Sequence, residues 1–154
     1  MPMKFGDPVP GLEGATEWLN GSRDEAEKLA KNGPLLVHFW SVGCGICKDK
    51  MPLLRELLAK YSARGLNAIA VHMPRYESET DVDSVRGTAA EIGITEINAV
   101  DNLHKLRNAF QNEQGWVPVY YLFDGEGRLR TRSAGEFGVG ILKAALEKMF
   151  TAEG

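Results

Sequence analysis

Apolar positions fall along the chain in blocks whose spacing separates strands from helices. Leu35-Leu36-Val37-His38-Phe39-Trp40 is a short apolar run with the length and composition of a buried strand. Leu66 to His72 (LNAIAVH) is a second, apolar enough to be covered on both faces. Between them, leucines at 53, 54, 57 and 58 give a helical stripe that starts at Cys44 and stops near Ala63, with Gly65 beyond it and Pro52 inside it, where a kink is expected. Ser22-Arg23-Asp24-Glu25 has the form of a capping box, so a helix is predicted from Ser22 to Asn32, closed by Gly33-Pro34. Downstream, Val82, Val85, Ala89 and Ile92 share one helical face over 81–92. Ile97 to Val100 reads as a short strand, and Asp101 caps a helix carrying Leu103, Leu106 and Phe110. Trp116 to Phe123, the turn Asp124-Gly125-Glu126-Gly127 and Arg128 to Ser133 predict a β-hairpin, and Gly138-Val139-Gly140 leads into a last amphipathic helix. The order, βαβ, a helical insertion, a hairpin and a helix, is mixed α/β.

Size and charge narrow this reading little. The 154 residues suit one domain, 1–154, with residues 1–21 as an extended lead-in. A net charge of −3 argues against nucleic acid or an anionic membrane as partner. Arg128, Arg130 and Arg132 alternate with Leu129 and Thr131 and are expected to line one exposed strand face. No stretch approaches the roughly 18 apolar residues of a membrane span, and the first residues carry no basic-then-apolar leader, so a cytoplasmic protein is the expectation.

The candidate chemistry lies in the two cysteines, Cys44 and Cys47, at C-x-x-C spacing between a strand and a helix. Such a pair is either a redox dithiol or half of a zinc site. A structural zinc needs about four ligands. The remaining candidates, His38, His72 and His104, are widely spaced, so no metal ligand is assigned. The redox reading explains position as well as spacing. At a helix N-terminus, unpaired N–H groups and the helix dipole favour Cys44 as thiolate, the form that attacks a disulfide. Cys47, nearly one turn further on, reaches Cys44 but is expected to be more sheltered, which suits a resolving thiol.

The segment HFWSVGCGICKDKMP resembles the active-site segment of the thioredoxin superfamily. Phe39-Trp40 stands at the strand end, Cys44/Cys47 forms the dithiol and Pro52 lies eight residues after the first cysteine. Val117-Pro118 before VYYLF resembles the family's cis-proline, and GEGRL its hairpin. Residues 71–97, VHMPRYESETDVDSVRGTAAEIGITEI, resemble the insert of TlpA-like domains, in particular those of DipZ and NHL-repeat proteins. The resemblance covers about residues 33–150. It implies a thioredoxin-like fold, a central mixed sheet flanked by helices with a TlpA-like insert. It also implies thiol-disulfide exchange in cell redox homeostasis, with Cys44 as nucleophile and Cys47 as resolving thiol. Trp40, Val117 and Pro118 would contact an extended substrate peptide, Val117 through its backbone. The partners implied are protein disulfide or dithiol clients and an upstream thiol reductant. The protein would act as a monomer with no cofactor other than the Cys44–Cys47 disulfide.

Three positions depart from the family pattern. Where thioredoxin has a buried aspartate, this chain has His38, on the same strand face as Trp40 and able in principle to exchange the resolving thiol's proton. A core histidine bonded to backbone is the competing reading. Gly43 replaces a tryptophan before the first cysteine, removing a flat apolar contact surface. Gly45-Ile46 replaces Gly-Pro between the cysteines, a pair that tunes redox potential across the family. The alternatives to exchange are a thiol peroxidase of the peroxiredoxin type, for which Ser41 could stand at the motif's threonine but its proline is missing, and a metal-binding module using the C-x-x-C.

Overall fold

The computed structural model describes residues 2–152. In chain order they form β1 (Glu17–Leu19), α1 (Arg23–Lys31), β2 (Leu35–Trp40), α2 (Gly45–Ser62), β3 (Asn67–His72), a 3₁₀ turn (Glu77–Thr80), α3 (Val82–Glu91), β4 (Ile97–Val100), α4 (Lys105–Ala109), β5 (Val119–Phe123), β6 (Leu129–Ala134) and α5 (Gly138–Ala152). The six strands make one sheet in the order β1-β4-β3-β2-β5-β6. β2 runs parallel to β3 and antiparallel to β5, and β3 runs parallel to β4, so the sheet is mixed.

β2 lies inside this sheet with every residue buried, which is why its apolar run is nearly continuous rather than alternating. Its residues still divide by face. Leu36 and Trp40 join a cluster with Leu54 and Leu58 of α2, Val85 of α3 and Leu142 and Leu146 of α5. Leu35, Val37 and Phe39 join another with Ala26 of α1 and Leu106 and Phe110 near α4. Two apolar layers, one on each side of the sheet, fix the register of β2, because a slip of one residue would exchange the faces.

Local signals act where the pattern places them. Ser22 caps α1, its hydroxyl accepting from the Glu25 N–H, and Gly33 and Gly65 adopt positive φ just past α1 and α2. α2 is continuous through Pro52.

Four boundaries differ from the pattern. The lead-in of 1–21 contains β1, which pairs antiparallel with β4 over three residues, too short a stretch to show alternation. α4 begins at Lys105 rather than after Asp101, because His104 takes a left-handed φ of 57° and Leu103 is 63% exposed. β5 begins at Val119, since the chain bends at Val117-Pro118 just ahead of it. α5 already starts at Gly138. The arginines of β6 do not form one uniform exposed face. Arg130 pairs with Asp124, whereas Arg132 is half-buried over the Tyr121 ring.

Candidate active site

The end of β2, the turn Ser41-Val42-Gly43 and the first turn of α2 build the site. Cys44 is the N-cap of α2, with extended backbone, and its sulfur accepts a hydrogen bond of 3.1 Å from the Cys47 N–H. A sulfur in that place meets the unpaired amides and the positive end of the helix dipole, and no acidic residue lies in the first turn to oppose it. Cys44 and Cys47 are joined as a disulfide, with 5.3 Å between their Cα atoms. Exposure does not separate them, contrary to the expectation for Cys47: Cys44 is 3% and Cys47 2% accessible. What distinguishes them is position, Cys44 at the cap and Cys47 inside the first turn.

The three residues before Cys44 are each tied to the end of β3 or to the segment that leaves it. The Ser41 hydroxyl donates to the Met73 carbonyl, the Val42 N–H donates to Nε2 of His72 at 3.1 Å, and the Gly43 N–H donates to Oε2 of Glu79 at 3.1 Å. Glu79 also accepts from the Arg75 N–H at 2.7 Å and from its guanidinium at 3.2 Å. Burial works against the charge on Glu79, but these donors outweigh it and hold its carboxyl below the usual carboxylate range. His72 is wholly buried, and burial, with a smaller push from Arg75 against the pull of Glu79, takes it down to about 4. It is therefore neutral, and since Nε2 accepts, its proton sits on Nδ1, a buried atom with no hydrogen-bond partner among the described residues.

His38 shares the sheet face of Leu36 and Trp40, toward α2. Its Nε2 lies 2.6 Å from Oε2 of Glu96, just ahead of β4. Arg55 of α2 forks onto the same carboxylate through two bonds of 2.7 Å, and the Thr95 N–H adds one of 3.1 Å. Burial alone would raise the Glu96 carboxyl, yet Arg55 and His38 hold it well below the carboxylate range. An ionised Glu96 only accepts, so His38 donates through Nε2 and a neutral ring has Nδ1 as its basic nitrogen. His38 thus bonds to a carboxylate, not to backbone as the competing reading had it, and not to a cysteine.

Trp40 is 1% exposed, so it supports the site from below and offers no surface to a client. Its indole N–H donates to Asn98 at 3.3 Å and its ring meets His72 edge-on at 4.9 Å. Val117 is half-buried against the cluster that contains both cysteines, and the Val117–Pro118 bond is cis. Beside Val117, a shallow cavity of about 420 Å³ is bounded by Arg75, Gln114, Gly115 and Trp116. Among the described residues, no three His, Cys, Asp or Glu side chains are grouped to hold a metal ion.

Residue patterns did not single out Arg55, Arg75, Glu79 or Glu96. Each sits in a polar stretch or on a helix face where a charge is unremarkable, and only the fold brings it to the site. In the sequence His72 is only one of three widely spaced histidines, and it is the parallel register of β2 and β3 that sets it beside Trp40.

The chain matches no protein-family model. It is 43% identical to the thiol-disulfide oxidoreductase YkuV of Bacillus subtilis, over 96% of this chain and 97% of that protein. It is 30% identical to a portion of the protein DipZ of Mycobacterium tuberculosis, over 92% of this chain and 20% of that one. The solution structure of a thioredoxin-like protein in the oxidized form superposes with a TM-score of 0.85 at 41% identity, covering 97% of this chain and 99% of the other.

Proposed function

The chain belongs to the TlpA-like thiol-disulfide oxidoreductases of the thioredoxin superfamily, and we propose that within its active site Cys44 is the attacking thiol and Cys47 the resolving one. The reaction is exchange between this pair and a protein disulfide. In the reducing direction the Cys44 thiolate attacks one client sulfur. The client S–S bond breaks, a mixed disulfide forms and the other client sulfur leaves as a thiolate that takes a proton. Cys47, losing its proton, attacks the Cys44 sulfur, closes the Cys44–Cys47 disulfide and releases the second client thiol. Two electrons and two protons pass to the client, and the dithiol itself is the only redox group required. The observation that carries the assignment is the disulfide at the cap of α2, with Cys44 as the capping sulfur.

Cys47→Ser should accumulate a mixed disulfide with a protein disulfide substrate, resolved by added dithiothreitol, whereas Cys44→Ser should form none. Adduct formation by Cys44→Ser alone would reverse the two roles. The client disulfide presents itself as an extended segment beside Val117 and Pro118, just ahead of β5. The protein works as a monomer in the cytoplasm, where an upstream thiol reductant returns the pair to the dithiol. Among the described residues no helix is long and apolar enough to cross a membrane. A reductase of this kind should have a potential near −270 mV, and one near −120 mV would instead mark an oxidant, roughly the range of known exchange proteins.

His38 is the base that takes the Cys47 proton during resolution, in the role of a buried carboxylate. Glu96 accepts from Nε2 and orients the ring, so Nδ1 is the site of proton uptake. His38→Ala should flatten the pH dependence of the resolution step. An unchanged profile would end the relay assignment.

A further inference from the structure

The place of the missing side chain at residue 43 is filled from elsewhere in the chain. A Cβ built on Gly43 would lie 2.5 Å from Oε2 of Glu79 and 3.3 Å from Nη2 of Arg75. Real Cβ atoms essentially never come as close as 2.5 Å, so a side chain at 43 would have to displace the Glu79 carboxylate from the place it fills. Glu79 is itself only 4% exposed, although it lies in the short polar 3₁₀ turn Glu77–Thr80. A buried carboxylate without donors is costly, and this one has three, of which one is the Gly43 N–H directly before Cys44. Arg75 closes the pair as an ion pair of 3.2 Å and also borders the cavity beside Val117.

We propose that the Arg75–Glu79 pair is a positioning unit that stands in for the side chain of residue 43 and sets how readily Cys44 gives up its proton. The proposal rests on Cys44 being the attacking thiol and adds the residues that tune it. Two opposite charges act on the thiol here. Glu79 is anchored one residue from Cys44 and its charge disfavours the thiolate, while Arg75 favours it and cancels much of the carboxylate's effect. The other titratable groups around the turn are the neutral His72 behind Val42, Lys48 and Asp49 on the exposed side of α2, and the His38–Glu96–Arg55 group on the face of β2 toward α2. None of these bonds to Ser41, Gly43 or the side chain of Cys44.

The test reads the rate of iodoacetamide alkylation against pH in the Cys47→Ser background, so that one thiol reports. Glu79→Gln leaves Arg75 uncompensated and should lower the midpoint by roughly half to one pH unit; Arg75→Gln leaves Glu79 uncompensated and should raise it by a similar amount. The double variant should return close to the parent. A merely structural role would move both single variants in the same direction, or neither, and either result overturns the proposal. Thermal melts of the same proteins identify any variant that has failed to fold, and the single variant that stays folded then carries the comparison: a midpoint that moves against its predicted direction, or not at all, overturns the proposal. If alkylation follows this pattern while the wild-type protein fails to reduce a protein disulfide, the exchange assignment falls and the charge coupling stands.

Discussion

His72 joins its own strand to the active-site turn through one ring nitrogen. Because Nε2 accepts from the Val42 N–H, the ring must stay neutral for the turn to keep its partner. Burial enforces this, taking the group from 6.5 down to about 4. The sign of the linkage follows: the unfolded chain takes up this proton near pH 6.5 and the folded chain only near pH 4. Stability from this source is therefore complete above about pH 6.5 and is lost as pH falls from there toward 4. His72→Gln, which retains an acceptor but cannot titrate, should show a shallower fall in urea midpoint over that interval than the wild type. Equal slopes would show that His72 does not carry the linkage. At this scale the sequence was informative about chemistry and poor at pairing. Cys44 and Cys47 announce themselves by spacing, and His38 by standing where an aspartate is expected. Glu79 and Glu96 cannot be told from solvent-facing acids until the fold sets one against Gly43 and the other against His38 and Arg55.

Helices and strands were legible to the extent that their periodicity was long. β2, β3, α2 and α3 each present a run of apolar positions that only one element type can bury. The short α4 is different, because its start is decided by a side chain rather than by a stripe. Asp101 is wholly buried and accepts from the Leu106 and Arg107 N–H groups at 2.8 and 2.9 Å, so it does cap the helix. It does so across an intervening left-handed residue, and the helix begins four residues later. Asp101→Ala removes both acceptors and should cost about 1–2 kcal/mol, seen as a Tm lower by several degrees, with Asp101→Asn recovering part of the loss. An unchanged Tm for the alanine variant would show that the cap is dispensable. The segment between β3 and α3 is likewise more than a connection. Its residues are mostly polar, yet its backbone and side chains hold the turn that carries Cys44.

Across the whole molecule, the mixed sheet with helices on both sides follows from βαβ order and from the full burial of β2. The three-residue edge strand β1 does not, since it exists only because β4 offers a free edge. The active site gathers at one end of β2, where the strand hands over to α2, and the residues that tune it arrive from the chain beyond β3 and before β4. One detail of that junction carries further. The atom that caps α2 is the same atom that changes its bonding in every turnover. As half of a disulfide, the Cys44 sulfur is a neutral, weak acceptor for the Cys47 amide; as a thiolate it is an anion at the positive pole of an 18-residue helix. Folding and electron transfer are then two readings of one equilibrium. Any change that steadies the first turn of α2 more when the cap is charged raises the potential by the same free energy, and the oxidation state is written into the protection of a single backbone proton.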